Sequence, residues 1–140
     1  MSLDNSGTFL IANAVLDALH PSSGTTTVGT KTITAPMVIR LMTANGTATS
    51  TGTELGTGGG YTAVTGISMG TNWAAAASAS KATNATISQT NMPAATIVGI
   101  EIWDSSGTKQ RIDWGSITSK TTASGDTLSF ASAAITVAVA

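Results

Sequence analysis

One hairpin limits what this chain can fold into more than any other stretch. Along Ala95–Trp103, Thr96, Val98, Ile100 and Ile102 fall on one face of a strand and Ile97, Gly99, Glu101 and Trp103 on the other, because successive side chains leave a pleated backbone on opposite sides. Asp104-Ser105-Ser106-Gly107 follows with turn chemistry: Asp bonds to nearby backbone and Gly tolerates positive φ. Residues 111–117 then return as an antiparallel partner, with Ile112 and Trp114 alternating. A chain organised about such a pair is committed to antiparallel sheet.

The remaining segments agree with that frame. Phe9, Ala12, Leu16 and Leu19 recur at helical period with Val15 beside them, Ser6 or Thr8 can cap the turn, and Pro21 stops it. One N-terminal helix is therefore expected. Residues 22–32 are small and polar without a period and read as a loop. Met37, Ile39 and Leu41 share one face of a strand that begins after Pro36. Residues 45–60 read as a long Gly/Thr loop, and residues 61–69 as a second strand with an irregularity at Gly66. Residues 73–85 are ambiguous: the alanine run suits a helix, the Ser, Thr and Asn content a loop crossing between sheets. Ser124-Gly125-Asp126 is a turn, Leu128 and Phe130 mark a short strand, and Ile135, Val137 and Val139 alternate to the end. The expected architecture is mainly β, an antiparallel β-sandwich of jelly-roll type, with residues 1–22 as an N-terminal helix or arm and residues 23–140 as one sandwich domain. Left unpaired, the terminal Ala-Ile-Thr-Val-Ala-Val-Ala would be an aggregation-prone edge, so it needs a partner.

Composition narrows the function. Ala, Thr, Ser and Gly make up 79 of 140 residues, while Leu, Ile, Val and Phe total 27. That is close to the level associated with disorder, but disorder of that kind also needs high net charge. The net charge here is −1. The result is a folded chain with a thin core, which contact between subunits can complete. Charged residues are 9% of the chain, against roughly 25% in ordinary soluble domains. Neither a run of phosphates nor an anionic membrane surface finds enough positive charge, so nucleic acid and membrane are not expected partners. No cysteine is present, which removes disulfides and thiolate chemistry. The opening residues carry no basic and apolar secretory pattern, and no apolar run is long enough to span a bilayer.

Each motif that invites chemistry has a plainer reading. Gly56-Thr57-Gly58-Gly59-Gly60-Tyr61 lacks the last glycine of a dinucleotide fingerprint and the Lys of a P-loop, and reads as a flexible loop entering a strand. His20 is the single histidine and sits where a helix C-terminus favours it, with no particular hydroxyl singled out as its nucleophile. Glu101, Asp104 and Asp113 could supply a carboxylate pair, but they read as strand and turn positions. Tyr61, Trp103 and Trp114, with Trp73, could stack on sugar rings, yet so thin a core also needs large residues as filling. The glycosylation patterns at Asn45 and Asn84 are as frequent as chance allows. No catalytic residues, cofactor or metal are expected.

Several segments in order resemble a family of small bacteriophage virion proteins described as head decoration, minor tail or tail-fibre proteins. They are the helix Leu10-Ile-Ala-Asn-Ala-Val-Leu-Asp-Ala-Leu-His20, the strand Val38-Ile-Arg-Leu-Met-Thr43-Ala44, and the loop from Gly52-Thr53-Glu54 to Gly59-Gly60-Tyr61. Gly99-Ile100-Glu101-Ile102-Trp103-Asp104 and Gly125-Asp126-Thr127 complete the set. The chain departs from the family at Thr62-Ala63-Val64, where members commonly carry Arg. The resemblance implies a non-enzymatic virion subunit, a homotrimer by expectation, bound to major capsid protein or tail proteins. The leading expectation is a capsid decoration protein on the head surface, gaining strength through many copies. The alternatives are a minor tail or tail-fibre protein and, in another class, a carbohydrate-binding module using Tyr61, Trp103 and Trp114. Subunit contacts are expected at Phe9, Leu16 and Leu19 on the helix and at Ile135, Val137 and Val139 on the last strand.

Overall fold

A computed structural model describes residues 10–138. The helix α1 spans Leu10–Leu19, with Leu16 buried and Pro21 following His20. Eleven strands follow among the described residues: β1 (Thr25–Val28), β2 (Lys31–Thr34), β3 (Val38–Ala44), β4 (Thr53–Glu54), β5 (Ile67–Ser68), β6 (Ser80–Ala82), β7 (Ile87–Gln89), β8 (Ala95–Trp103), β9 (Arg111–Thr122), β10 (Leu128–Phe130) and β11 (Thr136–Ala138). The main sheet runs β4-β3-β8-β9, and β5 pairs with a second stretch of β3. Three two-stranded pairs, β1–β2, β7–β10 and β6–β11, complete the fold, and every pairing is antiparallel. The chain is mainly β and sandwich-like, as the alternating segments require.

The core forms where the inner face of the main sheet meets those pairs. Met37, Ile39 and Leu41 are fully buried, and they join Ile33 from β2, Ile87 from β7, Leu128 from β10 and Ile135 in one cluster. Met37, Met42, Met69 and Met92 are all at most 2% exposed; flexible thioethers fill the gaps that a shortage of branched residues leaves. Val38, Arg40 and Met42, on the other face of β3, are buried as well.

Four segments differ from their sequence reading. Residues 22–32 are not a loop throughout: Thr25–Val28 pairs with Lys31–Thr34 around Gly29, whose φ is +62°. β-branched threonines suit a pleated surface even without an apolar period. The segment 61–69 is not one strand, because Val64 has a φ of 68° and only Ile67 and Ser68 stay in the sheet. The loop 45–60 contains β4. The ambiguous stretch 73–85 is neither helix nor simple crossing. Ala77 and Ser80 close a tight turn, and this turn hangs from α1 through Ala76 N–H on Asp17 Oδ1 (3.0 Å) and Ala79 N–H on Asn13 Oδ1 (3.0 Å). The terminal strand finds its partner within the chain, β11 lying against β6 with Val137 opposite Lys81.

Within the glycine-rich segment, Gly58–Gly60 form a close-packed turn rather than a free loop. Gly59 has a φ of +56°, and a Cβ there would lie 2.1 Å from the Asn91 carbonyl oxygen. Gly59→Ala combines a left-handed backbone with a backbone clash, so it should cost about 2–3 kcal/mol or more. Thermal unfolding followed by circular dichroism checks this: a Tm lowered by roughly 6 °C or more is expected, and an unchanged Tm would contradict the close approach.

Candidate functional site

The outer face of the main sheet carries a cluster of four charged residues, Arg40, Glu54, Glu101 and Arg111, in this lightly charged chain. Pairing across β3, β8 and β9 sets Arg40 beside Glu101 and Glu101 beside Trp114, with Trp103 opposite Arg111 in the next row. Glu101 is 1% exposed. Its Oε1 accepts hydrogen bonds from Arg111 Nη1 (3.0 Å) and Gly52 N–H (2.8 Å), and its Oε2 accepts one from Trp103 Nε1 (3.0 Å). Arg111 reaches further and donates to the carbonyls of Thr47 (2.6 Å) and Ser50 (2.7 Å). A buried carboxylate so fully satisfied is tolerable where an unpaired one is not. The consequence is mechanical: one ion pair fixes the loop of residues 45–52 against the sheet. Thr47 Oγ1 then accepts from the N–H groups of Thr49 and Ser50, and the exposed tip presents a row of hydroxyls.

A second clamp holds the next stretch of the same loop. The Arg40 guanidinium lies 3.9 Å from the centre of the Trp103 ring and 3.7 Å from Glu54. Glu54 Oε1 accepts from the Tyr61 hydroxyl (2.7 Å) and the Val64 N–H (2.9 Å), while the Tyr61 oxygen accepts from the Leu41 N–H (3.1 Å). Burial pushes the Tyr61 phenol well above its ordinary pKa and Glu54 adds to the effect, against the Leu41 N–H. Tyr61 therefore stays a donor across the physiological range. Together the two clamps explain why both faces of β3 are buried.

His20 and Asp113, 93 residues apart, are brought together. His20 Nε2 bonds to Asp113 Oδ2, Nδ1 donates to the Leu16 carbonyl (3.0 Å), and the ring packs at 5.0 Å from Trp73. In a hydrolytic triad one ring nitrogen is left to face a hydroxyl; here both are occupied, in a ring 1% exposed. The arrangement is a clasp joining α1 to β9. A second clasp joins α1 to β6 through Asp17 and Lys81. Asp104, fully buried, accepts from Gln110 N–H (2.6 Å) within the β8–β9 turn and from Thr34 N–H (3.2 Å) on β2, so it closes the turn and ties β2 to it.

The residues singled out from sequence fall into separate places. Tyr61 is in the core, Trp103 is half-buried under Arg40, Trp73 is buried, and Trp114 is 47% exposed on β9. They do not share one stacking surface. Leu16 and Ile135 are covered by their own chain, Leu19 and Val137 are half-buried against the core, and Phe9 and Val139 lie outside the described residues. Sequence reasoning missed Arg40, Glu54 and Arg111. The available signal was a charge set among apolar strand residues, as in Ile39-Arg40-Leu41, since charges are rarely buried unless paired.

Two outcomes follow from these clamps. Arg111→Met leaves Glu101 buried and uncompensated and should cost about 3–5 kcal/mol, with Glu101→Gln in the same chain recovering part of the loss; denaturant unfolding of the two single variants and the double variant measures it, and additive losses would contradict the pairing. The second concerns Asp17. Desolvation by itself raises its carboxyl pKa, but the Lys81 ammonium and the Ala76 N–H outweigh it and hold the carboxyl below 3.8. A group depressed in the folded state contributes stability that is complete above the unfolded pKa and is lost as pH falls through the folded one. Asp17→Asn should therefore flatten the fall in Tm between about pH 5 and pH 2, and an acid limb identical to the parent's would count against the clasp.

Comparison with known proteins gives one family. The family model for podophage GP4 fiber I protein gp80 matches residues 8–138. No curated protein and no solved structure matches the chain. The family match takes in the helix, both clamps, both clasps and all eleven strands, and the chain accordingly belongs to the podophage GP4 fiber I protein gp80 family, phage virion structural proteins of fibre type.

Proposed function

We propose that this chain is a non-enzymatic structural subunit of a phage tail fibre, assembled into the virion beside other tail proteins. The observation that carries this reading is the family match over residues 8–138, whose description names a fibre protein. It favours the fibre role over decoration of the head shell, the leading expectation from sequence.

The geometry supports a structural role in specific ways. His20 is used at both ring nitrogens, and Glu101, Asp104 and Glu54 are each spent on holding loops. A particle protein must keep its surfaces in one shape, and this one does so without disulfides. Buried ion pairs serve instead, each positioning loop backbone that the thin apolar core cannot reach. The hydroxyl-rich, weakly charged exterior is also cheaper to desolvate against a neighbour than a Lys/Glu-rich one.

Cryo-electron microscopy of intact particles labelled with an antibody to this chain tests the assignment. Label confined to the tail is expected. Label distributed over the head facets would overturn the fibre reading and restore the decoration one.

A further inference from the structure

A trench runs along the free edge of β9. That strand borders the main sheet and, among the described residues, its backbone pairs with β8 alone. The pairing is regular from Asp113 to Ser116, opposite Ile102 to Gly99, and its register breaks on both sides. Beyond Ser116 the strand takes four steps to Lys120 where β8 takes two, from Gly99 to Ile97. Irregularities of this kind blunt an edge, so the bare stretch between them is the one open to pairing. A groove of about 190 Å³ lies beside it, walled by residues 113–117 and 134–137, with Ile100 and Ile102 in its lining. A second groove, of about 210 Å³, carries on past Thr118 and Lys120 to residues 128–131. The two share Ile117 and Ala134 and form one trench.

We propose that this trench takes an extended segment of a different protein, added antiparallel to β9 as a further strand, with apolar side chains at alternate positions and a carboxylate over Lys120. Naming that protein as a neighbour in the tail rests on the function proposed above; the chemistry of the groove does not. Unpaired N–H and C=O groups beside an apolar groove suit strand addition, in which backbone bonds give affinity and the groove selects every second side chain. The lining needs such cover, since Ile100, Ile117 and Val137 pack on the core while only partly buried. No described strand of the chain is free to supply it, because all eleven are already paired. Another copy's β9 fits poorly. The inward residues of that strand, Ile112 and Ile117, are spent on its own core, so it brings no free side chains to this one.

Charge gives the segment a direction. Asp113, at one end of the trench, is 35% exposed and bonded to His20. Lys120, at the other end, has no ion-pair partner among the described residues. A carboxylate on the incoming segment is repelled at the first end and paired at the second. Every strand pairing in the fold is antiparallel, and a segment laid antiparallel to β9 brings its amino end to Lys120. The acidic residue therefore belongs near the amino end.

NMR titration of the purified full-length chain tests the proposal. The probe is a capped synthetic peptide of about eight residues, enough to run from Asp113 to Lys120, with Asp at its amino end and Val and Thr alternating after it. Shifts confined to residues 113–120, 128–131 and 134–137, with a Kd of about 100 μM or tighter, are expected. Lys120→Glu, at an exposed position, should weaken that peptide about 10-fold and favour instead one with Lys at its amino end, a swap that loss of folding cannot mimic. Ala134→Phe fills the trench from an exposed position where the two grooves meet, and should abolish binding with an unchanged circular dichroism spectrum. No binding at about 1 mM peptide, shifts elsewhere, or a peptide preference that Lys120→Glu leaves unaltered would overturn the proposal. So would shifts of the trench residues that grow with protein concentration in the absence of peptide, which would assign the trench to another copy. Label on the particle reads location and the titration reads the groove, so each can fail without the other.

Discussion

The Glu101 carboxylate, buried where β3, β8 and β9 run side by side, is the contact on which most of the fold's outer half depends. A chain with 27 Leu, Ile, Val and Phe residues in 140 cannot cover both faces of its main sheet with apolar side chains. Most of those among the described residues join the core cluster or pack against it. The outer face is covered instead by a glycine- and threonine-rich loop, which has no apolar grip of its own and is held through Arg111, Gly52 and Trp103. Removing charge from water is costly, so such a pair is retained where its geometry is nearly complete. Here three donors fill the carboxylate, and the arginine spends its other hydrogen bonds on loop carbonyls.

That arrangement has a functional logic for a particle protein. Loops held by buried ion pairs keep one conformation without disulfides, and they leave outward a surface of hydroxyls with little charge. The same scarcity of large side chains leaves the core partly uncovered along β9. Clamps and open edge are two results of one composition: charge and backbone close the outer face, and along β9 the same shortage leaves core residues half-covered.

Legibility in the sequence followed the length of the pattern. Ala95–Trp103 is legible to the residue because β-branched and apolar side chains run its length between Pro93 and the turn at Asp104. The helix was readable from its apolar stripe and from Pro21. The β1–β2 hairpin was hidden because threonine pairs well in a strand without leaving an apolar period. Residues 61–69 misled because Val64, a β-branched residue, sits at positive φ, which only tertiary contact sustains. The clamps joined residues far apart in sequence: His20 meets Asp113 and Arg111 meets Thr47, and no local spacing announces either pair. Leu19, Ile135 and Val137 were singled out as subunit contacts; that they line grooves beside β9 needed the fold.

The central claim, a loop of residues 45–52 held on the sheet by the buried Glu101–Arg111 pair, is tested most directly by amide hydrogen exchange of that loop in the parent and in Arg111→Met. The Gly52 amide, which donates to Glu101 Oε1, should be protected in the parent and exchange quickly in the variant, while β8 amides stay protected in both. A Gly52 amide that exchanges at the same rate in parent and variant would contradict the account.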